Sequence, residues 1–143
     1  MLRLREYIWH LINNHHAKCL YPFYNLLRYR MKKLGIKLGF DIPINTVGAG
    51  FRIDHWGYLV ISSEAKVGKN CHCFGDITIG VKDNVTKGAP TIGDNVTIGS
   101  GARLLGPIKI ASGCTIGANA VVTKSFTDEG SVIVGAPAHI VKK

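Results

Sequence analysis

A six-residue rhythm constrains this chain more than any other feature. Aliphatic residues fall at Ile92, Ile98, Leu104, Ile110, Ile116 and Val122, each six after the last, and Ile61, Val67, Cys73 and Ile79 make an earlier run with the same step. A small or apolar residue stands four after most of them: Ala65, Cys71, Ile77, Val96, Ala102, Ile108, Cys114 and Ala120. Period six suits neither a helix of 3.6 residues per turn nor the plain alternation of a flat strand. It suits a coil of three short strands and three tight corners, with about eighteen residues per turn. Each aliphatic side chain then points inward and stacks on its counterpart one coil away. Glycine directly after Ile79, Ile92, Ile98 and Ile116 keeps the corners narrow. The expected fold is all-β, a three-sided parallel β-helix.

The rhythm breaks between Ile79 and Ile92, thirteen residues in place of twelve. The intervening VKDNVTKGAP is polar and carries Gly and Pro, so a loop projecting from the prism is expected there. A smaller offset lies upstream: Ile53 to Leu59 is six, but Leu59 to Ile61 is two. Such an irregularity re-aims side chains, and His55 lies inside it.

Residues 1–40 read as a basic helical extension before a β-helix domain at 41–143. Leu4, Tyr7, Ile8, Leu11 and Ile12 form a helical stripe over 3–16. A second helix is expected from about Pro22 to Leu34, with Phe23, Leu26, Leu27, Met31 and Leu34 on one side. The extension holds eight basic residues (Arg3, Arg5, Lys18, Arg28, Arg30, Lys32, Lys33, Lys37) against one acid, Glu6. The remainder holds ten basic and eight acidic residues, so most of the +9 charge belongs to the extension. Packing on the main domain or a neighbouring subunit is one reading; peripheral contact with a membrane surface is a further one. Nothing approaches the apolar length of a transmembrane helix, and the first twenty residues lack the unbroken apolar stretch of a signal peptide. The expectation is a cytoplasmic protein with free thiols at Cys19, Cys71, Cys73 and Cys114.

Several segments resemble the hexapeptide acyltransferases, above all the serine acetyltransferases and small O-acetyltransferases of bacterial polysaccharide synthesis. They are IDHWGYLVI at 53–61, ITIG at 77–80, APTIGDNVTIGSGARLLG at 89–106, IGANAVVTK at 116–124 and VGAPAHIV at 134–141. The resemblance implies a left-handed β-helix, a homotrimer with active sites between subunits, and acetyl-CoA as donor in the groove between adjacent prisms. It also implies transfer of the acetyl group to an alcohol.

That chemistry needs a base for the hydroxyl proton and donors for the tetrahedral oxyanion. Histidine suits the first task near neutral pH. His55, in Asp54-His55, matches the family's catalytic histidine. Asp41 resembles the aspartate that pairs with it, and Asp54 resembles the aspartate that helps bind an amino-acid acceptor. Turn or cap roles for both aspartates remain open, as does which of them supports His55. Gly80, Gly99, Ser100, Gly117 and Ala118 match the corner residues beside the pantetheine arm, and they turn corners in any case. Lys124 is a candidate for the cofactor phosphates, with Lys142 and Lys143 behind it. His10, His15, His16 and His139 read as surface histidines.

Cys71-His72-Cys73 invites a metal reading, but the hexad turns both thiols inward and His72 outward, so no metal site is expected. A metal hydratase on the same prism would need three converging histidines, and no suitable pair occurs. With no recognition motif beside the basic extension, no nucleic-acid role is expected. The sequence departs from the serine acetyltransferases in one informative place. They carry a histidine before the proline that closes the loop, where this chain has Ala89-Pro90. The family histidine holds the serine carboxylate. Its absence favours a sugar or polysaccharide precursor as acceptor, with serine as the alternative.

Overall fold

The computed structural model describes residues 2–14, 18–83 and 87–142, without the side chains of 2–5 and 18. His15, His16, Lys143 and positions 84–86 of the expected loop lie outside the described residues. Two helices, α1 (Leu2–Asn13) and α2 (Tyr21–Leu38), precede fourteen short strands. The chain is thus mostly strand, with both helices confined to the N-terminal extension where helices were expected.

The strands build three parallel sheets, one for each side of a prism. Sheet A stacks β1 (Phe40–Asp41), β3 (Leu59–Ile61), β6 (Ile77–Gly80), β9 (Arg103–Leu105) and β12 (Val121–Val122). Sheet B stacks β4 (Lys66–Val67), β7 (Thr91–Ile92) and β10 (Lys109–Ile110). Sheet C stacks β2 (Arg52–Ile53), β5 (His72–Cys73), β8 (Thr97–Ile98), β11 (Thr115–Ile116) and β13 (Val132–Val134); β14 (His139–Lys142) closes its end antiparallel to β13.

Inward residues stack in register. Leu59 pairs with Ile77, Ile92 with Ile110, Ile98 with Ile116 and Leu104 with Val122, each an eighteen-residue step. Every hexad residue, aliphatic or small, is at most 5% exposed. Burying a Val, Leu or Ile side chain contributes roughly 1.5–3 kcal/mol, and here such residues form one unbroken column.

The loop is larger than the sequence suggested. Val67 pairs with Ile92, Cys73 with Ile98 and Ile79 with Leu104, twenty-five residues apart in place of eighteen. Ile79 and Ile92 thus occupy consecutive sides, and the insertion is seven residues. Hexad counting alone does not distinguish a skipped side from a long corner.

Residue α2 Leu27 is buried against the rest of the chain, with Met31 and Leu38 half-buried, while Phe23, Leu26 and Leu34 are exposed. The packed stripe is therefore turned from the expected one, and the helix runs four residues further. It stops at Gly39, whose φ of 75° places it in the left-handed region that closes helix ends. In α1, Ile8 is buried and Tyr7 exposed. Glu6 is buried as well, and its Oε1 accepts the Asn45 backbone N–H at 3.0 Å. That bond ties the extension to the first corner of the prism.

Candidate active site

The corners between sheets C and A form one edge of the prism, and six of the sequence candidates collect there. Asp54 and His55 follow β2, Gly99 and Ser100 follow β8, and Gly117 and Ala118 follow β11. Phe74 and Gly75 fill the coil between. The stacking is close: a Cβ on Gly99 would stand 2.6 Å from the Ala118 nitrogen, and one on Gly117 would stand 2.8 Å from Val134 Cγ1. Gly99 is therefore required by the backbone packed against it, and Gly117 is crowded by the Val134 side chain.

His55 sits where this edge bulges. From Ile53 to Ile61 the chain uses eight residues, against six from Cys73 to Ile79, Ile98 to Leu104 and Ile116 to Val122. Two extra residues cannot be absorbed in a tight corner, so the segment swings out. His55 is exposed, its ring 6.3 Å from that of Phe74 at a 45° tilt. Trp56 is 85% exposed beside it, and Tyr58 and Phe74 are exposed as well. An exposed aromatic group of this size marks a surface built to be covered.

Asp54 is held differently from its neighbour. Arg52 Nε lies 2.5 Å from Asp54 Oδ1, and Asp54 Oδ2 is buried with no hydrogen-bond partner. Residues i and i+2 of an extended strand share a face, so this pair was a legible signal that the sequence reading passed over. Trp56, Tyr58 and Phe74 were also missed, because the hexad has no place for outward aromatics.

The other candidates lie elsewhere. Asp41 is exposed at the end of β1 and lines a groove of about 800 Å³ between α2 and the prism, shared with Ile42, Pro43, Ile53, Tyr58 and Val60. Among the described residues, neither Asp41 nor Asp54 hydrogen-bonds His55. Gly80 and Lys124 lie at corners leaving sheet A toward the side of sheet B, one sheet width from His55. A Cβ on Gly80 would meet nothing within 4 Å. Its φ is not in the left-handed region either, so nothing among the described residues of the protomer requires a glycine there. Lys124 Nζ stands 5.5 Å from the Phe126 ring centroid. His72 is half-buried on the outer face of β5, with Arg52 and Thr97 as its neighbours in the ladder, while Cys71 and Cys73 are fully buried. Burial raises both thiols, Cys73 to about 12 with help from Cys71 and Asp54.

Residues 89–124 match the family described as bacterial transferase hexapeptide (six repeats). The serine acetyltransferase of Mycobacterium tuberculosis is 43% identical over 108 residues, 74% of this chain and 47% of that protein. The soybean serine acetyltransferase complexed with serine superposes with a TM-score of 0.75 at 29% identity, covering 98% of this chain and 54% of that one. A serine acetyltransferase complex with CoA superposes with a TM-score of 0.74 at 25% identity, again over 98% and 54%. The chain spans about half the length of the curated relatives it matches.

These likenesses correct the expected sugar or polysaccharide acceptor. The relatives and structural neighbours are serine acetyltransferases, which supports the serine alternative. The sugar expectation rested on a missing histidine at Ala89, and a missing contact identifies no sugar-binding group in its place.

Proposed function

The chain carries the transferase hexapeptide repeat and resembles serine acetyltransferases in sequence and fold; from that premise we propose that it transfers acetyl from acetyl-CoA to the hydroxyl of serine. In this reading His55 takes the hydroxyl proton as the oxygen attacks the thioester carbonyl. Backbone N–H groups along the C–A edge receive the oxyanion. The tetrahedral intermediate then collapses, the C–S bond breaks, and the CoA sulfur leaves with the proton held on His55. Asp54 meets the amino group of the acceptor, and Asp41 or Asp54 steadies the imidazolium. No acyl-cysteine is required.

The observation that carries the reading is the 43% identity to a serine acetyltransferase over three quarters of the chain. Two features of the protomer support it. His55 is lifted outward by the enlarged corner, and Gly80 is small without a reason among the described residues of its own subunit. We also infer a left-handed coil and a homotrimer, in which the C–A edge of one prism faces the Gly80 and Lys124 corners of the next. That arrangement joins candidates that one protomer keeps a sheet apart, and it covers Trp56. Gly80, Gly99, Ser100, Gly117 and Ala118 then flank the pantetheine arm, and Lys124 lies toward the phosphates. With acetyl-CoA as donor, the reading carries a cytoplasmic location.

The test is release of free thiol from acetyl-CoA with and without L-serine. Serine-dependent release that falls about 10²–10⁴-fold in His55→Ala, with CoA binding retained, is the expected result. Absence of serine-dependent release, or full activity in His55→Ala, would overturn the proposal.

A further inference from the structure

The outward face of α2 combines exposed apolar side chains with a dense set of cations. Tyr29 is 64% exposed and Ile36 is 76% exposed. Seven residues apart, they lie ~20° from each other around the helix. Leu26 stands beside them, 51% exposed. Leu27, Met31 and Leu38 occupy the opposite side, against the rest of the chain. The apolar stripe is flanked by exposed cations: Arg28 and Lys32, which with Ile36 also rim the groove toward the prism, on one side, and Arg30, Lys33 and Lys37 on the other.

Asp41 is the acid that stands near them, lining the groove it shares with Arg28 and Lys32. The extension has a single carboxylate, Glu6, and it is buried with Asn45 as partner. We propose that this face docks on the surface of an anionic lipid bilayer, with the stripe entering the headgroup layer and the five cations meeting lipid phosphates and carboxylates. A helix with apolar residues between two rows of lysine and arginine lies flat in that interface. At eighteen residues α2 extends about 27 Å along it. No described helix is long and apolar enough to cross a membrane, so the contact is peripheral.

The alternatives fit less well. A second copy meeting this face with its own would set five cations against five. Nucleic acid would meet the cations but leave Ile36 and Leu26 without an apolar environment, because a phosphate backbone offers none.

The experiment is flotation of the full chain with vesicles of phosphatidylcholine, with or without about 30 mol % phosphatidylserine. Preferential binding to the anionic vesicles, lost between about 0.1 and 0.5 M salt, is expected. Each basic residue at such a surface is worth about fivefold in partitioning. Lys32→Ser/Lys33→Ser/Lys37→Ser should therefore lose most of the binding, and Lys33→Glu alone should weaken it more than fivefold. Tyr29→Ser/Ile36→Ser should weaken it at least tenfold with unchanged circular dichroism and unchanged mass by light scattering. Equal binding to both vesicle types, no binding, tighter binding to random duplex DNA than to vesicles, or a smaller assembly in Tyr29→Ser/Ile36→Ser would each overturn the proposal.

Discussion

Arg52 Nε and Asp54 Oδ1 stand 2.5 Å apart on the outer face of sheet C, immediately before His55. The arginine is well exposed, with 61% of its side chain in solvent, while only 17% of the aspartate is. The buried partner depends on the pair, since Asp54 Oδ2 has no other hydrogen bond. Arg52→Met leaves a mostly buried carboxylate without its cation, which is expected to destabilise by about 1–3 kcal/mol. Solvent around Arg52 keeps the figure toward the lower end. Thermal melting measures it. On the proposed reaction, the same variant should change KM for serine more than KM for acetyl-CoA, because Asp54 is the group that moves. Equal effects on both would argue against a role at the acceptor.

The coil was legible because burial and stacking select one residue in six, and that selection leaves a period in the sequence. Ile98 and Ile116 are inward because they must stack, and nothing else determines them. The outward position of His55 was legible for a related reason, as the irregular count around Leu59 marks where the stacking rule is relaxed. The extent of the loop was not legible, because Ile79 to Ile92 fits a skipped side almost as well as a long corner. Nor was the packed face of α2. Helices of this composition have apolar residues all around, and only the surface they meet decides that Leu27 is buried and Leu26 is not. The division of candidates between two edges is a property of three-dimensional winding that no one-dimensional spacing carries.

Asparagines stabilise the corners in a way that separates side chain from backbone. Asn95 has φ 58°, a left-handed conformation, and its Oδ1 accepts from Asn70 Nδ2 at 3.4 Å on the coil before. Asn95→Val forces a β-branched residue into that region, expected to destabilise by roughly 1–2 kcal/mol. Asn95→Gly relieves the backbone and loses only the long, exposed hydrogen bond, so its loss should be smaller. Chemical denaturation of the two variants checks the order, and a more stable valine variant would contradict it.

Gly80 and Gly99 should respond oppositely to alanine. At Gly99 the new methyl would collide with the Ala118 backbone at 2.6 Å. Gly99→Ala is therefore expected to lower the melting temperature by several degrees. At Gly80 the methyl meets none of the described residues of its own subunit, so stability of the protomer should be unchanged. If the proposed acetyl-CoA groove runs past it, Gly80→Ala raises KM for acetyl-CoA about tenfold or more. Unchanged kinetics in Gly80→Ala would remove this residue from the groove.

The thiols give a pH prediction whose sign is fixed by burial. Cys73 is fully buried, and loss of solvent, reinforced by Cys71 and Asp54, raises its pKa from 9.0 to about 12. Burial also raises Cys71 and Cys114. An unfolded chain releases the Cys73 proton near 9.0, while the native chain keeps it until about 12. The contribution of the neutral thiol to stability is thus complete below pH 9 and is lost as pH rises from there toward 12. Its slope is at most about 1.4 kcal/mol per pH unit. Cys73→Val, close in volume and without a proton to lose, should destabilise less steeply than the parent between pH 9 and 11. Parallel stability curves would contradict the burial of that thiol. At neutral pH a thiol reagent should find one reactive cysteine in the native protein, the exposed Cys19, and four after denaturation.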